Sequence, residues 1–443
     1  MATTQVAEKL QPWIAALESR PQSSTRWLQE LRDKSAARFA ALGFPTVRDE
    51  DWRFTNVSPI ASAEFQTAGD ARVSQSELDS LPYTTARYRI TVVNGRFSPE
   101  LSRLLDLPKG VRAGSLTAAA GEHSDVVPRY YGQLADFHGR SFVALNTALA
   151  GDGAYLYIPD GAVIEAPIEI LFIAAGDSAS QVMSQARTLI VAGERSQVRI
   201  VETYAALRGG TYFTNSVTEV FAGESAVIDH YKVQQEGLDA FHVATMQVNA
   251  QRSANVSSHS FSLGGKLVRN DVNAVLDGEG AEVTLNGLYL ADGDRLVDNH
   301  TVIDHAKAHC PSHEIYKGII GGKARAVFNG KIIVRQDAQK TNAKQTNRAL
   351  LLSDRASINT KPQLEIFADD VKCTHGATIG QLDEEAIFYL RARGLTHFEA
   401  RDLLIHAFAG EVIDRVRIED LRRGLEAELY AQLAKDLAEI DAA

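Results

Sequence analysis

The chain has 443 residues, of which 45% are hydrophobic and 23% charged, an ordinary globular composition with room for two or three structural units. A formal net charge of −10 argues against nucleic acid as the partner, and no apolar run approaches the roughly 18 residues of a membrane span. Two cysteines make no disulfide framework, and the first twenty residues lack a signal-type apolar core, so a reduced, cytoplasmic protein is expected.

The pattern is helical from Val6 to about Leu42, with Trp13, Ile14 and Leu17 and then Trp27, Leu28 and Leu31 at helical spacing. Pro21 and the Ser23-Ser24-Thr25 cluster separate two helices, and Gly43 with Pro45 ends the second. The aromatic, charge-rich stretch 43–60 reads as an irregular connector with solvated ion pairs. Asn94-Gly95, set between apolar alternations, predicts a hairpin over Arg87–Phe97. Residues 108–153 mix short helices and loops.

From Tyr155 to about Gly380 the chain is a series of short alternating runs separated by turns. Val198, Val227, Val256 and Val283 recur at steps of 29, 29 and 27, each after a turn-like group such as Gly193-Glu194-Arg195-Ser196. One such unit cannot bury its apolar face, whereas stacked units can. This favours a parallel β-helix or flattened solenoid over a two-sheet sandwich, which the strand lengths also allow. The expected organisation is an N-terminal helical domain and connector (1–85), a mixed segment (86–152), a β-helix core (153–380) and a C-terminal helical domain (381–443).

Histidines are scattered along the core. His305, His309, Cys310 and His313 form the densest group, but Pro311 breaks it, and solvent-facing positions on a coil are the plainer reading for these side chains. No phosphate loop, dinucleotide fingerprint or nucleophile elbow is present. Near the end of the core, Cys373 and His375 stand two residues apart. In a strand they share a face, and a thiolate beside an imidazole is half a site for a soft or borderline metal. Two ligands leave the shell incomplete, so the rest must come from another chain, sulfide or water.

The tail is helical. Thr396 and Glu399 form a capping box, and Leu421, Leu425, Leu429 and Leu433 make an apolar row that suits either a cap on the solenoid or a docking face.

The run KTNAKQTNRALLLSDRASINTKPQLEIFADDVKCTHGATIGQLDEEAIFYLRARGL (Lys340–Leu395) resembles the signature region of the SufB/SufD family of iron–sulfur cluster assembly proteins. GGKARAVFNGKIIV (Gly321–Val334) and RDEDWRFTNVSPI (Arg48–Ile60) fit the same family. The resemblance implies a right-handed parallel β-helix flanked by helical domains. The scarcity of cysteine points to the branch of the family without a self-contained cluster site. The resemblance further implies a subunit that is not an enzyme, pairs with SufB, and docks the SufC ATPase through the C-terminal helices (383–412). A homodimer is left open for the isolated chain. Cys373 and His375 would face SufB and help hold a transient iron–sulfur cluster, with none held stably by this chain alone. A β-helix enzyme acting on carbohydrate, or a purely structural subunit, are the competing classes.

Overall fold

The computed structural model describes residues 2–440 apart from 21, 70, 82–85, 124 and 177–180. An alternating strand has one face for an interior and one for a flank, and this chain satisfies both by coiling. From Ala154 to Gly380 successive strands alternate between two sheets, and each strand between the ends of this stretch pairs in parallel with the strands two before and two after it. Val227–Gln235, for instance, lies between Gln197–Ala206 and Asn255–Ser262. The result, among the described residues, is a parallel β-solenoid with eight of these strands in each sheet, and short strands from residues 66–115 bring each sheet to ten. The Arg87–Phe97 hairpin forms as the Asn94-Gly95 signal predicts, with both turn residues at positive φ, and its first strand joins the second sheet.

The turns repeat with the strands. Arg195, Ser225, Ser253, Gly280, His309 and Lys340 all have positive φ, and each precedes a strand of the second sheet by two residues. The left-handed residue makes the sharp corner that brings the chain back over the previous coil. Stacking aligns Val198, Ile228, Val256, Val283, Ser312, Ala343 and Cys373 in one interior column. The valine spacing is therefore off by one residue at Val227: its neighbour Ile228 occupies the column, because coils differ slightly in length.

The interior is apolar along its corners and polar in the middle. His230 Nε2 lies 2.9 Å from a Glu202 carboxylate oxygen, which also accepts from Tyr204 (2.6 Å) and Thr218 (2.7 Å) at its second oxygen. Burial alone would raise the Glu202 pKa, but the His230, Tyr204 and Thr218 bonds hold it at about 2. Lys232 Nζ contacts His242 Nε2 at 2.9 Å and donates to Asn270 Oδ1 at 2.8 Å, and burial lowers its pKa to about 8. These groups surround a cavity of about 20 Å³, room for one water. Four core histidines, His230, His242, His259 and His305, are buried because the coil offers them polar partners inside; within the 305–313 group, His309 and His313 face solvent as expected while His305 and Cys310 do not. Farther along, Glu314 is buried against Gln345 and Thr301, and desolvation raises its pKa to about 7. Two neighbouring columns trade bulk for space. A Cβ on Gly287 would stand 2.3 Å from the Tyr316 ring, and one on Gly318 would stand 2.3 Å from the Tyr289 ring.

The terminal helices lie on the flanks rather than over the coil ends. On the first sheet, Trp13, Leu17, Phe39, Ile60 and Phe142 pack against Phe213, Phe241, Leu267 and Val327. The helix Arg26–Leu42 ends at Gly43 as expected, while Pro21 lies outside the described residues. The connector is held by more than solvated pairs: Arg269 packs under Trp52, donates to the Asp51 carbonyl (2.8 Å), and pairs with Asp271 (2.7 Å) and Asp298 (2.5 Å). The connector's own ion pair, Glu50 with Lys361 at 2.6 Å, is exposed as expected, whereas the Arg269 cluster beneath Trp52 is built by strands far along the chain. On the second sheet, Ile405, Ala409, Val412, Leu421, Leu425 and Leu429 cover Tyr231, Val233, Phe261 and Leu288. The leucine row of the last helix is therefore satisfied within the chain at these positions; the side chain of Leu433 lies outside the described residues.

Two outcomes follow. Gly287→Ala forces the Tyr316 ring out of its column and is expected to lower stability by about 1–3 kcal/mol in urea denaturation; an unchanged midpoint would show that the ring has room to move. The second concerns Glu314. Its carboxyl ionises near 4.5 when unfolded and near 7 when folded, so the folded state keeps a proton the unfolded state has lost. Stability should fall as pH rises from about 4.5 to about 7 and level off above, by on the order of 3 kcal/mol more than in Glu314→Gln. Parallel pH profiles for the two proteins would refute this.

Candidate functional site

The last coil is where the two sheets stop. Ser357–Ile366 pairs only with Arg325–Val334, and Lys372–Gly380 pairs only with Asn342–Leu351, among the described residues. Backbone donors and acceptors along the far edges of both strands are left without ladder partners, an arrangement that solitary proteins blunt or cover. Here most of Lys372–Gly380 is exposed. Ile366 and Ile379 are exposed beside it, and Phe367 is 64% accessible.

Cys373 and His375 both lie on that final strand, as the extended reading requires. Cys373 pairs in register with Ala343 and His375 with Gln345, so both belong to interior-facing columns that end here without a further coil above them. Cys373 is half-buried, with its side chain packed beside Ile332, Val334, Ala343 and Ala368. This desolvation pushes its thiol pKa up, opposed by a backbone hydrogen bond from Ala343. The thiol is therefore protonated at neutral pH until a cation or another positive group favours the thiolate. His375 is exposed at the rim. The pair supplies one soft and one borderline donor from one face, with the remaining coordination positions open to whatever covers the end.

The denser sequence cluster does not converge. His305 points inward and bonds Ser312 at 3.0 Å, His309 is an exposed turn residue, Cys310 is buried with its thiol donating to the Gly278 and Ala308 carbonyls, and His313 is exposed on the next strand. Among the described residues no group of three or more His, Cys, Asp or Glu could hold a metal ion. Sequence reading overlooked Gln345 and Glu314, which lie directly beneath His375 in the same column. Only the stacking register reveals them; a coil period carried back from His375 is the signal that could have found them.

A second exposed surface sits on the C-terminal helices. Glu384–Arg391 and His397–Ile413 leave Phe388 (73% accessible), Tyr389, Phe398 and Leu403 outside the packed flank. The Thr396–Glu399 capping box forms as expected, with the Glu399 carboxylate accepting from the Thr396 backbone at 2.7 Å and Thr396 Oγ1 accepting from the Glu399 backbone at 3.1 Å. Lys317 ties the longer helix to the sheet through Glu411 (2.5 Å) and the Phe408 carbonyl (2.8 Å). Phe398 and Leu403 are thus carried on an anchored helix, and Phe388 and Tyr389 on the short helix that precedes it. Among the described residues no helix is long and apolar enough to cross a membrane.

Comparison with known proteins agrees with this architecture. Residues 15–170 match the SufBD protein N-terminal region, and residues 172–408 match the SufBD core domain of SUF system FeS cluster assembly. The chain is 36% identical over 400 residues to an iron–sulfur cluster assembly SufBD family protein of Synechocystis, covering 88% of each. It is 31% identical over 393 residues to the iron–sulfur cluster assembly protein SufD of Escherichia coli, covering 88% of this chain and 90% of that one. To SufD of Bacillus subtilis it is 27% identical over 421 residues, covering 90% and 92%. The SufD names agree with the cysteine-poor branch expected from the sequence. This chain therefore belongs to the SufB/SufD family of iron–sulfur cluster assembly proteins.

Proposed function

We propose that this chain is the SufD-type subunit of a SUF assembly complex, a non-catalytic partner that pairs with SufB and anchors the SufC ATPase in the cytoplasm. The observation that carries this reading is the uncovered last coil with Cys373 and His375 at its rim. An open pair of edge strands flanked by Ile366, Phe367 and Ile379 is suited to a second solenoid that continues both sheets. A partner seated there would bring its own ligands over Cys373 and His375. The nascent cluster, as cargo, would then be held by donors from two chains and released when their relative position changes. Cys373 must lose its proton to bind, and His375 must present a neutral nitrogen. Both cysteines are free thiols, as a reducing compartment requires.

The Phe388, Tyr389, Phe398 and Leu403 surface is the proposed seat of SufC. A cluster of exposed aromatics on an anchored helix pair has the composition of an interface centre. An ATPase docked here could pull on the second sheet through Lys317 and Arg417, the latter 3.2 Å from Asp229.

Co-purification of the tagged chain with SufB and SufC, followed by iron and sulfide analysis after reconstitution, tests the first part. Cys373→Ala and His375→Ala should each leave the complex assembled and lower its cluster content severalfold; normal cluster content in both would make this chain purely structural. Phe388→Asp should weaken SufC capture at least about tenfold while leaving SufB bound. Equal capture of SufC would move its seat elsewhere.

A further inference from the structure

Glu314, Gln345 and His375 stand in one interior-facing column, each paired in parallel register with the next. Directly paired positions lie about 5 Å apart, close enough for side chains to bond along the column. Gln345 Nε2 donates to Glu314 Oε2 at 2.7 Å. That bond turns the other end of the amide, Oε1, away from Glu314. Gln345 is 1% accessible, and its Oε1 is buried with no hydrogen-bond partner among the described residues. Buried acceptors in native proteins are ordinarily satisfied. The strand that adjoins Gln345 on its other side is the one that carries His375, and no further strand follows among the described residues.

The amide has been given room. A Cβ on Gly330, across the interior, would stand 2.3 Å from Gln345 Nε2 and 2.7 Å from its Cδ. A side chain that only filled space would need neither a glycine opposite nor an acid beneath. An apolar residue of the same volume would pack without an orphaned oxygen.

We propose that Gln345 is a positioning residue for His375, its Oε1 accepting the imidazole N–H while Glu314 holds the amide from below. The ring is then fixed in one tautomer, and its second nitrogen presents a lone pair at the rim beside Cys373. Ligating histidines are oriented in this way by the hydrogen bond of their other nitrogen. The importance of the relay rests on the reading of His375 as a ligand, but the hydrogen bond itself does not.

The test uses the full-length chain labelled with ¹⁵N-histidine, with the His375 signals assigned by their loss in His375→Ala. At a pH where His375 is neutral, the wild-type ring should show one tautomer. Gln345→Leu should give a mixture, and Gln345→Glu, which keeps an acceptor oxygen at the same reach, should restore the single form. A mixed tautomer in the wild-type chain overturns the proposal, whether or not the leucine variant folds. A single tautomer that survives in a folded Gln345→Leu chain overturns it as well. Cobalt(II) added to the isolated chain should bind about 10–100-fold more weakly in Gln345→Leu than in wild type, and equal affinity would sink the relay's effect on a metal while leaving the hydrogen bond to the tautomer measurement. A fixed tautomer lost in Gln345→Leu, alongside normal iron loading of the His375→Ala complex, would support the hydrogen bond and sink the ligand reading, so the two failures are told apart.

Discussion

Parallel register is the constraint on which everything else depends. Each strand lies on the strand of the preceding coil, so residues far apart in the chain stack in columns about 5 Å per step. A column can only hold side chains compatible with their neighbours above and below. That is why Val198, Ile228, Val256 and Val283 follow one another, and why Tyr289 and Tyr316 are each faced by a glycine. The same register delivers Cys373 to the end of an apolar column and His375 to the end of a polar one.

A solenoid differs from a closed barrel in having ends. Burial decides which faces are settled and which are not. The outer face of the first sheet is closed by the N-terminal helices and by the connector that Arg269 clamps between Trp52 and Asp298. The outer face of the second is closed by the C-terminal helices. Neither set covers the last coil, so the apolar residues and edge groups there have no counterpart within the described chain. The exposed aromatics on Glu384–Arg391 and His397–Ile413 are the other unsettled surface.

The polar interior gives this core its specificity. Glu202, His230, Lys232 and His242 are each bonded to another of the group, and a one-residue slip of any strand would leave charges buried without partners. Several interior groups keep a polar atom without a partner among the described residues, and two of them lie near the open end. Gln345 and Glu314 each keep an oxygen without a partner among the described residues.

Period, composition and turn chemistry determined much of this protein without coordinates. The near-regular return of Val198, Val256 and Val283 announced stacked coils, Asn94-Gly95 announced a hairpin, and Thr396 with Glu399 announced a helix start, because each depends on residues close in sequence. The motif around Cys373 and His375 carried the family. Tertiary structure alone decided which groups meet across coils. Asp298 meets Arg269, His230 meets Glu202, and Gln345 lies between Glu314 and His375 because coil lengths vary by a residue or two, and a local pattern cannot count that variation across successive turns. Tertiary packing likewise turned the leucine row of the last helix inward and left Phe388 and Tyr389 outside, since which face of a helix is buried depends on the sheet it meets.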